Sequence, residues 1–312
     1  MKEKLCVITG PTGIGKTNLS LELAKSLNGE IISADSMQIY KYMDIGTAKI
    51  SPLEMGNVPH HLVDLIYPNE DFTVSDFKSK CKKIITEINQ RKKLPIIVGG
   101  TGLYINSLVY DLNFTEVAFD PIIRDKYENL ANEEGLKYLH KLLEDVDFVS
   151  SERISVNDKK RIIRALEIYD LTGKTMSDYN KDFRKENKDY NLVIIGLNMD
   201  RLKLYDRINK RVDIMIEQGL VEEVKLLLNI GYDPNSVALQ GIGYKEIILY
   251  LDGRLTLEES IDLIKQKSRN YAKRQLTWFR RDSRIKWINV DEFEDFNLLK
   301  NFTQNYILEN IN

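Results

Sequence analysis

The sequence predicts an α/β fold, a P-loop-type doubly wound parallel sheet with a helical insertion domain, and three observations lead there. The chain opens on an apolar run, Leu5, Val7 and Ile8, followed at once by Gly10, Gly15, Lys16 and Thr17 in the pattern G-x-x-x-x-G-K-T. Short apolar runs then alternate with helical patterns as far as about residue 114. From 115 to 190 the chain turns polar, charged and helical, with no strand pattern until the run N-L-V-I-I-G-L at 191–197. The expected organisation is a first part of the core at 1–114, an inserted helical domain at 115–190, and the rest of the core with basic helices at 191–312.

The first element is a phosphate cradle. Glycines let the backbone wrap an anion with its N–H groups, a helix starting there aims its positive end at the same point, and a lysine adds a point charge. Gly10, Pro11, Thr12, Gly13, Ile14, Gly15, Lys16 and Thr17 are the expected cradle, with a helix over 18–26 behind it. The Thr17 hydroxyl would hold Mg²⁺ against the phosphates. The motif specifies phosphate and leaves the reaction open.

A short strand at 30–34 follows and ends at Asp35, Ser36, Met37 and Gln38; a third apolar run at 61–66 precedes Pro68, and a helix is expected over 73–91. The fourth strand, 95–98, is closed by Gly99, Gly100, Thr101 and Gly102, and another helix begins at Leu103. Ligands of such sheets sit beyond the carboxyl ends of the strands, which places Asp35 and Thr101 on the rim that carries the phosphate loop.

Within the insertion a helix over 159–169 should stop near Gly173, and its Lys160, Arg161 and Arg164 share one face, as a solvated helix face would also show. The last third reads as helical. Leu204, Ile208, Val212 and Met215 recur at helical spacing, with Arg207 and Arg211 as a second row. Further on, Ile261, Ile264, Ser268, Tyr271, Gln275 and Phe279 track one side of a long helix, and Lys265, Arg269 and Lys273 track another. Nine Lys or Arg stand against a single acid, Asp282, between Lys265 and Lys286, more than a solvated face needs. That imbalance points to nucleic-acid phosphates, whereas the tail after Asp291 carries no pattern of its own.

Bulk properties narrow the classes. A chain of 312 residues with 43% apolar content has room for a large core and a smaller unit and is not a disordered sequence. Its formal charge of −2 means that nucleic-acid binding must come from local basic patches. Cys6 and Cys81 lie far apart without C-x-x-C spacing, as reduced core thiols do, and no metal-binding cysteine set exists. Nowhere do 18 apolar residues run together, so a cytoplasmic protein without a membrane span is expected.

Which phosphate chemistry follows is a question of acids. A P-loop kinase adds a strand ending in an acid near Mg²⁺, but here the candidate strand ends P-I-I-V-G-G-T-G. The N-K-x-D of a GTPase is not supplied by Asn180, Lys181, Asp182 and Phe183, nor by Asn187, Lys188, Asp189 and Tyr190. The strand-end acid that exists is Asp35, with Ser36 and Gln38 beside it to read a base edge. Such a site suits a reaction in which pyrophosphate leaves and a nearby nucleophile loses a proton.

The segments G-P-T-G-I-G-K-T, A-D-S-M-Q-I-Y, D-I-G-T-A-K, P-H-H-L-V-D, V-G-G-T-G-L-Y, R-A-L-E-I-Y, Q-G-I-G-Y-K-E and R-N-Y-A-K-R-Q-L-T-W-F-R follow one another nearly from end to end. In these segments and their order the chain resembles the tRNA dimethylallyltransferases, or adenosine isopentenyltransferases. That family moves a five-carbon prenyl group from dimethylallyl diphosphate to N6 of the adenosine 3′ of the anticodon. The resemblance implies that residues 10–17 cradle the leaving pyrophosphate with Mg²⁺, that Asp35 is the general base, and that Thr101 touches the bridging oxygen. It also implies that Arg211 grips the pyrophosphate from the far side. For the tRNA anticodon stem-loop it implies a pocket from Asp35, Ser36, Met37 and Gln38, with Thr101 and Arg124 beside a flipped nucleotide. Lys159, Lys160, Arg161, Ile162, Ile163, Gln240 and Gly241 match segments that contact the anticodon arm, and Lys265, Arg269 and Lys273 would meet tRNA phosphates.

Structural roles compete at several positions: a helix N-cap for Asp35 and Thr101, a surface ion pair with Glu217 or a neighbouring acid for Arg211, and a core or strand-start role for His60 and His61. Two other classes stay open, a small-molecule P-loop kinase and a non-catalytic tRNA- or nucleotide-binding module. The chain is expected to act as a monomer on tRNA and dimethylallyl diphosphate.

Overall fold

A computed structural model of the chain describes residues 2–112, 120–179 and 185–311. The boundary expected at 114 and 115 and the tetrad at 180–183 lie outside the described residues. The chain divides into two units, one of Met1–Val109 with Lys188–Asn312 and the other Tyr110–Asn187.

The first unit is built on strands β1 (Glu3–Thr9), β2 (Gly29–Ala34), β3 (His60–His61), β4 (Leu94–Gly99), β5 (Tyr190–Asn198) and β6 (Lys286–Asn289). They form one six-stranded sheet in the order β3-β2-β4-β1-β5-β6. Every pairing in it is parallel, with Ile8 opposite Val98 on one side and Ile195 on the other. Parallel strands covered on both faces read as continuous apolar runs, and Leu5, Cys6, Val7 and Ile8 are all fully buried. The expected doubly wound parallel sheet is therefore present.

Local signals set the helices. Gly15 adopts φ 100°, a turn an L side chain resists, and lets the helix Lys16–Ser26 begin two residues earlier than its apolar pattern suggests. Thr73 and Asp76 exchange hydrogen bonds in a capping box that starts Val74–Gln90, and Thr256 with Glu259 does the same for Leu257–Phe279.

Three expectations are corrected. The run at 61–66 does not continue as a strand, because Leu62 and Asp64 turn to φ 60° and 52° and only His60 and His61 pair with β2. The last third is not wholly helical: Trp287 and Ile288 lie in the edge strand β6, beside β5. Nor is the tail featureless. The helix Phe296–Asn310 puts Leu299 and Ile307 into the main core, against Leu19 and Leu23 of the first helix. A second apolar cluster joins Ile39, Tyr40 and Met43 to Val212, Met215, Val224, Tyr244 and Ile264.

The second unit is helical among its described residues. Tyr127, Leu139, Leu143, Ile162, Ile163 and Leu166 make a core of their own. The helix Lys159–Thr172 ends on Gly173 at φ 68°, as its sequence predicts.

Candidate active site

Three loops leave adjacent strands at their carboxyl ends. The phosphate loop follows β1, Gly100 and Thr101 follow β4, and Asp35 follows β2, so strand order alone brings them onto one rim. The Thr101 N–H donates to the Ala34 carbonyl at 3.2 Å, and its hydroxyl accepts from the Ser36 N–H at 3.0 Å. Asp35 caps no helix: its Oδ1 accepts from the Met37 N–H at 2.9 Å in a turn. Thr101 precedes the helix Gly102–Val109, but its hydroxyl is turned toward the loop of Asp35.

At the phosphate loop no side chain caps the helix Lys16–Ser26, so its first N–H groups are open to an anion. Lys16 folds back over the loop, its Nζ donating to the carbonyls of Gly10 and Pro11 at 2.9 Å each. Burial, reinforced by the like charge of Arg211 and partly offset by Asp35, pushes the Lys16 ammonium down to about 7. Arg211 comes from the helix Arg201–Glu217 and donates to the Thr47 carbonyl at 3.3 Å. Burial disfavours the charge of Arg211, and the nearby Asp35 partly restores it.

Two cavities meet at Arg211 and Met215. One, of about 790 Å³, is lined by Gly13, Ile14, Gly15, Lys16 and Thr17 and by Asp44, Lys49 and Ser51. The other, of about 330 Å³, has Asp35, Ser36, Gln240 and Arg274 among its polar lining residues. Its walls are apolar, from Met37, Ile208, Val212, Met215, Ile242 and Ile264. A polyanion therefore has a cradle on one side of Arg211, and an apolar group a slot on the other that Asp35 also lines.

The structure separates the remaining sequence-selected residues. Gln240 and Gly241 border the Asp35 cavity, whereas the Gln38 amide is turned inward, accepting from the Ser33 hydroxyl at 3.1 Å. Lys265 pairs with Asp213 at 2.6 Å and Arg269 donates to Asn209 at 2.6 Å, while Lys273 is exposed. In the second unit Ile162 and Ile163 are core residues. Arg124 lies at 3.5 Å from the buried Glu167, Lys159 pairs with Glu128, and Lys160 and Arg161 are exposed.

Sequence reasoning missed several residues here. Tyr271 lines the Asp35 cavity, and burial beside the charge of Asp35 pushes its phenol up to about 12. Arg274 lies over the Tyr271 ring at 5.6 Å. Gly46 and Thr47 form part of the slot. All four fall inside the segments D-I-G-T-A-K and R-N-Y-A-K-R-Q-L-T-W-F-R, so their presence was readable although their roles were not.

The family model of IPP transferase matches residues 38–282. A tRNA dimethylallyltransferase of Carboxydothermus hydrogenoformans is 54% identical over 289 residues, 93% of each chain. The full-length tRNA isopentenylpyrophosphate transferase of Bacillus halodurans superposes with a TM-score of 0.75 at 47% identity, over 99% of this chain and 97% of that one. A eukaryotic dimethylallyltransferase, captured acting on tRNA, gives a TM-score of 0.82 at 30% identity, over 98% of this chain and 80% of that one. By sequence over most of its length, and by fold, this chain belongs to the IPP transferase family.

Proposed function

We propose that this chain transfers a dimethylallyl group from dimethylallyl diphosphate to N6 of the adenosine 3′ of the anticodon in tRNA, releasing pyrophosphate. The observation that carries the reading is the pair of cavities meeting at Arg211, a phosphate cradle on one side and a slot lined by apolar residues and Asp35 on the other.

In this reading the open N–H groups behind Gly15, Lys16 and Arg211 hold the diphosphate, and the prenyl chain lies along Ile208, Val212, Met215 and Ile264. The adenine amine enters beside Ser36, Gln240 and Arg274 from a nucleotide turned out of its stack. The bond from C1 to the bridging oxygen breaks, its electron pair leaves with pyrophosphate, and N6 bonds to C1. The departing N6 proton goes to the Asp35 carboxylate. Lys16 and Arg211 stabilise the charge that builds on the leaving group, and Thr101 orients the bridging oxygen.

Mg²⁺ fits the donors present. The Thr17 hydroxyl lies in the phosphate cavity with Asp44, and among the described residues no group of three or more His, Cys, Asp or Glu is placed to hold an ion alone. Thr17 would supply one hard oxygen and the diphosphate and water the rest; when bound, the ion neutralises charge on the leaving group. The reading puts the enzyme in the cytoplasm, where it meets tRNA as a monomer. Among the described residues no helix is long and apolar enough to cross a membrane.

Incubation with unmodified tRNA, dimethylallyl diphosphate and Mg²⁺, followed by mass spectrometry of the nucleoside digest, tests the reading. Prenylated adenosine is expected. Its absence with folded protein, or ATP-dependent phosphorylation of a small molecule instead, would overturn it.

A further inference from the structure

Gln275 lies near the C-terminal end of the helix Leu257–Phe279 and is 6% exposed, beside the buried Ala272 and Phe279. A buried amide is costly unless both ends are satisfied. Here Oε1 accepts from the Thr12 N–H at 2.9 Å and Nε2 donates to the Gly100 carbonyl at 3.0 Å. One partner is a donor and the other an acceptor, so only one orientation of the amide serves both. Thr12 follows β1 and Gly100 follows β4, and a single side chain therefore ties two site loops to a third element.

Gly100 carries the complementary mark. It is absent from the positive-φ residues, so its backbone does not require glycine, yet a Cβ there would fall 2.0 Å from Gln275 Nε2. The glycine makes room for the amide. Because the Thr12 N–H is committed to Gln275, the amide also fixes which way the first half of the phosphate loop faces.

We infer that Gln275 is a positioning residue: it sets the spacing between the phosphate loop and the Gly100–Thr101 loop, and thereby the affinity of the cradle for the diphosphate. The inference rests on the diphosphate reading of the loop and adds a residue that does not itself touch the substrate. A glutamate would keep the acceptor for Thr12 but oppose the Gly100 carbonyl with an oxygen, so the nearly isosteric variant is informative.

The test is titration of inorganic pyrophosphate with Mg²⁺ by calorimetry into the full chain and into Gln275→Glu, Gln275→Ala and Gly100→Ala, alongside KM for dimethylallyl diphosphate and Kd for tRNA. Displacements of the order of 1 Å at a site cost up to about a hundredfold, so at least a tenfold weakening of pyrophosphate and a matching rise in KM are expected, with tRNA Kd within about twofold. Gly100→Ala should reproduce the loss with Gln275 intact. Adding it to Gln275→Ala should cost little more, since the clash partner is then gone. Parent-like pyrophosphate affinity in all three variants would overturn the inference. So would an equal loss of tRNA and pyrophosphate binding together with a lowered melting temperature, the mark of general loosening. A parent that binds pyrophosphate but transfers no prenyl group would break the reaction reading, while the pyrophosphate titration would still decide the role of Gln275.

Discussion

The hydroxyl of Tyr244 donates to Glu223 at 2.7 Å, and that carboxylate also accepts the backbone N–H groups of Asp44, Ile45 and Gly46 at 2.9, 2.7 and 3.1 Å. The tyrosine ring packs on the same loop: a Cβ on Gly46 would lie 2.5 Å from its Cε2. The loop runs on to the Thr47 carbonyl that receives Arg211, so Glu223 supports the wall of the slot from outside. Hydrogen bonds to a charged group contribute about 1.5–3 kcal/mol, and Glu223→Gln should lower unfolding stability by about 2 kcal/mol. Tyr244→Phe, which loses one donor, should cost about 1 kcal/mol. An unchanged denaturation midpoint for Glu223→Gln would mean that apolar packing alone holds the loop.

Asp35→Asn is expected to keep the fold, because an Asn Oδ1 can still accept from the Met37 N–H. What it removes is the proposed proton acceptor, which lines the slot. Loss of a general base costs about 10²–10⁴-fold, to be read in kcat with tRNA and diphosphate affinities near the parent's. Turnover at the parent rate would remove Asp35 from the chemistry.

Lys16 gives a pH signature. With its pKa pushed down to about 7 in the free protein against 10.5 for an ordinary lysine, the unfolded chain binds the extra proton between those values, so this group's contribution to stability rises with pH across that window. A diphosphate restores negative charge beside Lys16 and raises its pKa, so binding somewhat above pH 7 should take up as much as about one proton. Calorimetry in buffers of different ionisation enthalpy measures that uptake, and Lys16→Arg, always charged, should abolish the lysine's share. Equal uptake in parent and Lys16→Arg would show that Lys16 is already protonated in the free cradle.

What the sequence disclosed follows from the range of its signals. The G-x-x-x-x-G-K-T loop, the strand-end Asp35 and the helix start at about Thr73 are local patterns, and each sits where its pattern implies. Strand β6 was hidden because K-W-I-N lies among cations, and its strand character comes from pairing with β5. Gln275 and Glu223 were illegible for the same reason. A glutamine in a basic helix and a glutamate on a helix surface acquire their roles only from partners at Thr12, Gly100 and the 44–46 loop, far away in the chain. The basic row was half legible: its spacing is helical, but Asp213 and Asn209 engage two of its three members.

Glu30 stands at the start of β2, at the end of the strand opposite Asp35, and tests stability apart from activity. Burial opposes its ionisation, but hydrogen bonds from Arg91, His61 and Lys93 and the charge of Arg91 outweigh this and hold its carboxyl at about 2. Against 4.5 in the unfolded chain, that depression corresponds to on the order of 3 kcal/mol, present above pH 4.5 and lost as pH falls toward 2. Glu30→Gln should lose about that stability at neutral pH and show a flatter acid-unfolding profile, with the kcat of the remaining folded enzyme unchanged. Parallel acid profiles for parent and variant would assign acid sensitivity to other carboxylates.

Salt dependence tests the proposed tRNA contact on the long helix. Lys265 and Arg269 already have partners in Asp213 and Asn209, whereas Lys273 is exposed and Arg274 is exposed over Tyr271 and lines the Asp35 cavity. A cation held by a carboxylate must give up that partner to meet a phosphate, so the exposed pair should dominate the electrostatic part of binding. Each phosphate that a side chain neutralises adds roughly 0.7–0.9 to the slope of log affinity against log salt, so Lys273→Ala with Arg274→Ala should flatten it by about 1.5 and weaken tRNA. Lys265→Ala should change the slope by less than half of one phosphate's share, roughly 0.4. Dimethylallyl diphosphate affinity should hold for Lys265→Ala and for Lys273→Ala alone, since neither residue lines the phosphate cavity. Anisotropy titrations at several salt concentrations decide it. A parent-like slope for the Lys273 and Arg274 double variant would take tRNA phosphates off this pair and leave Lys267 of the same helix and the exposed Lys160 and Arg161 of the second unit as the cations to test next.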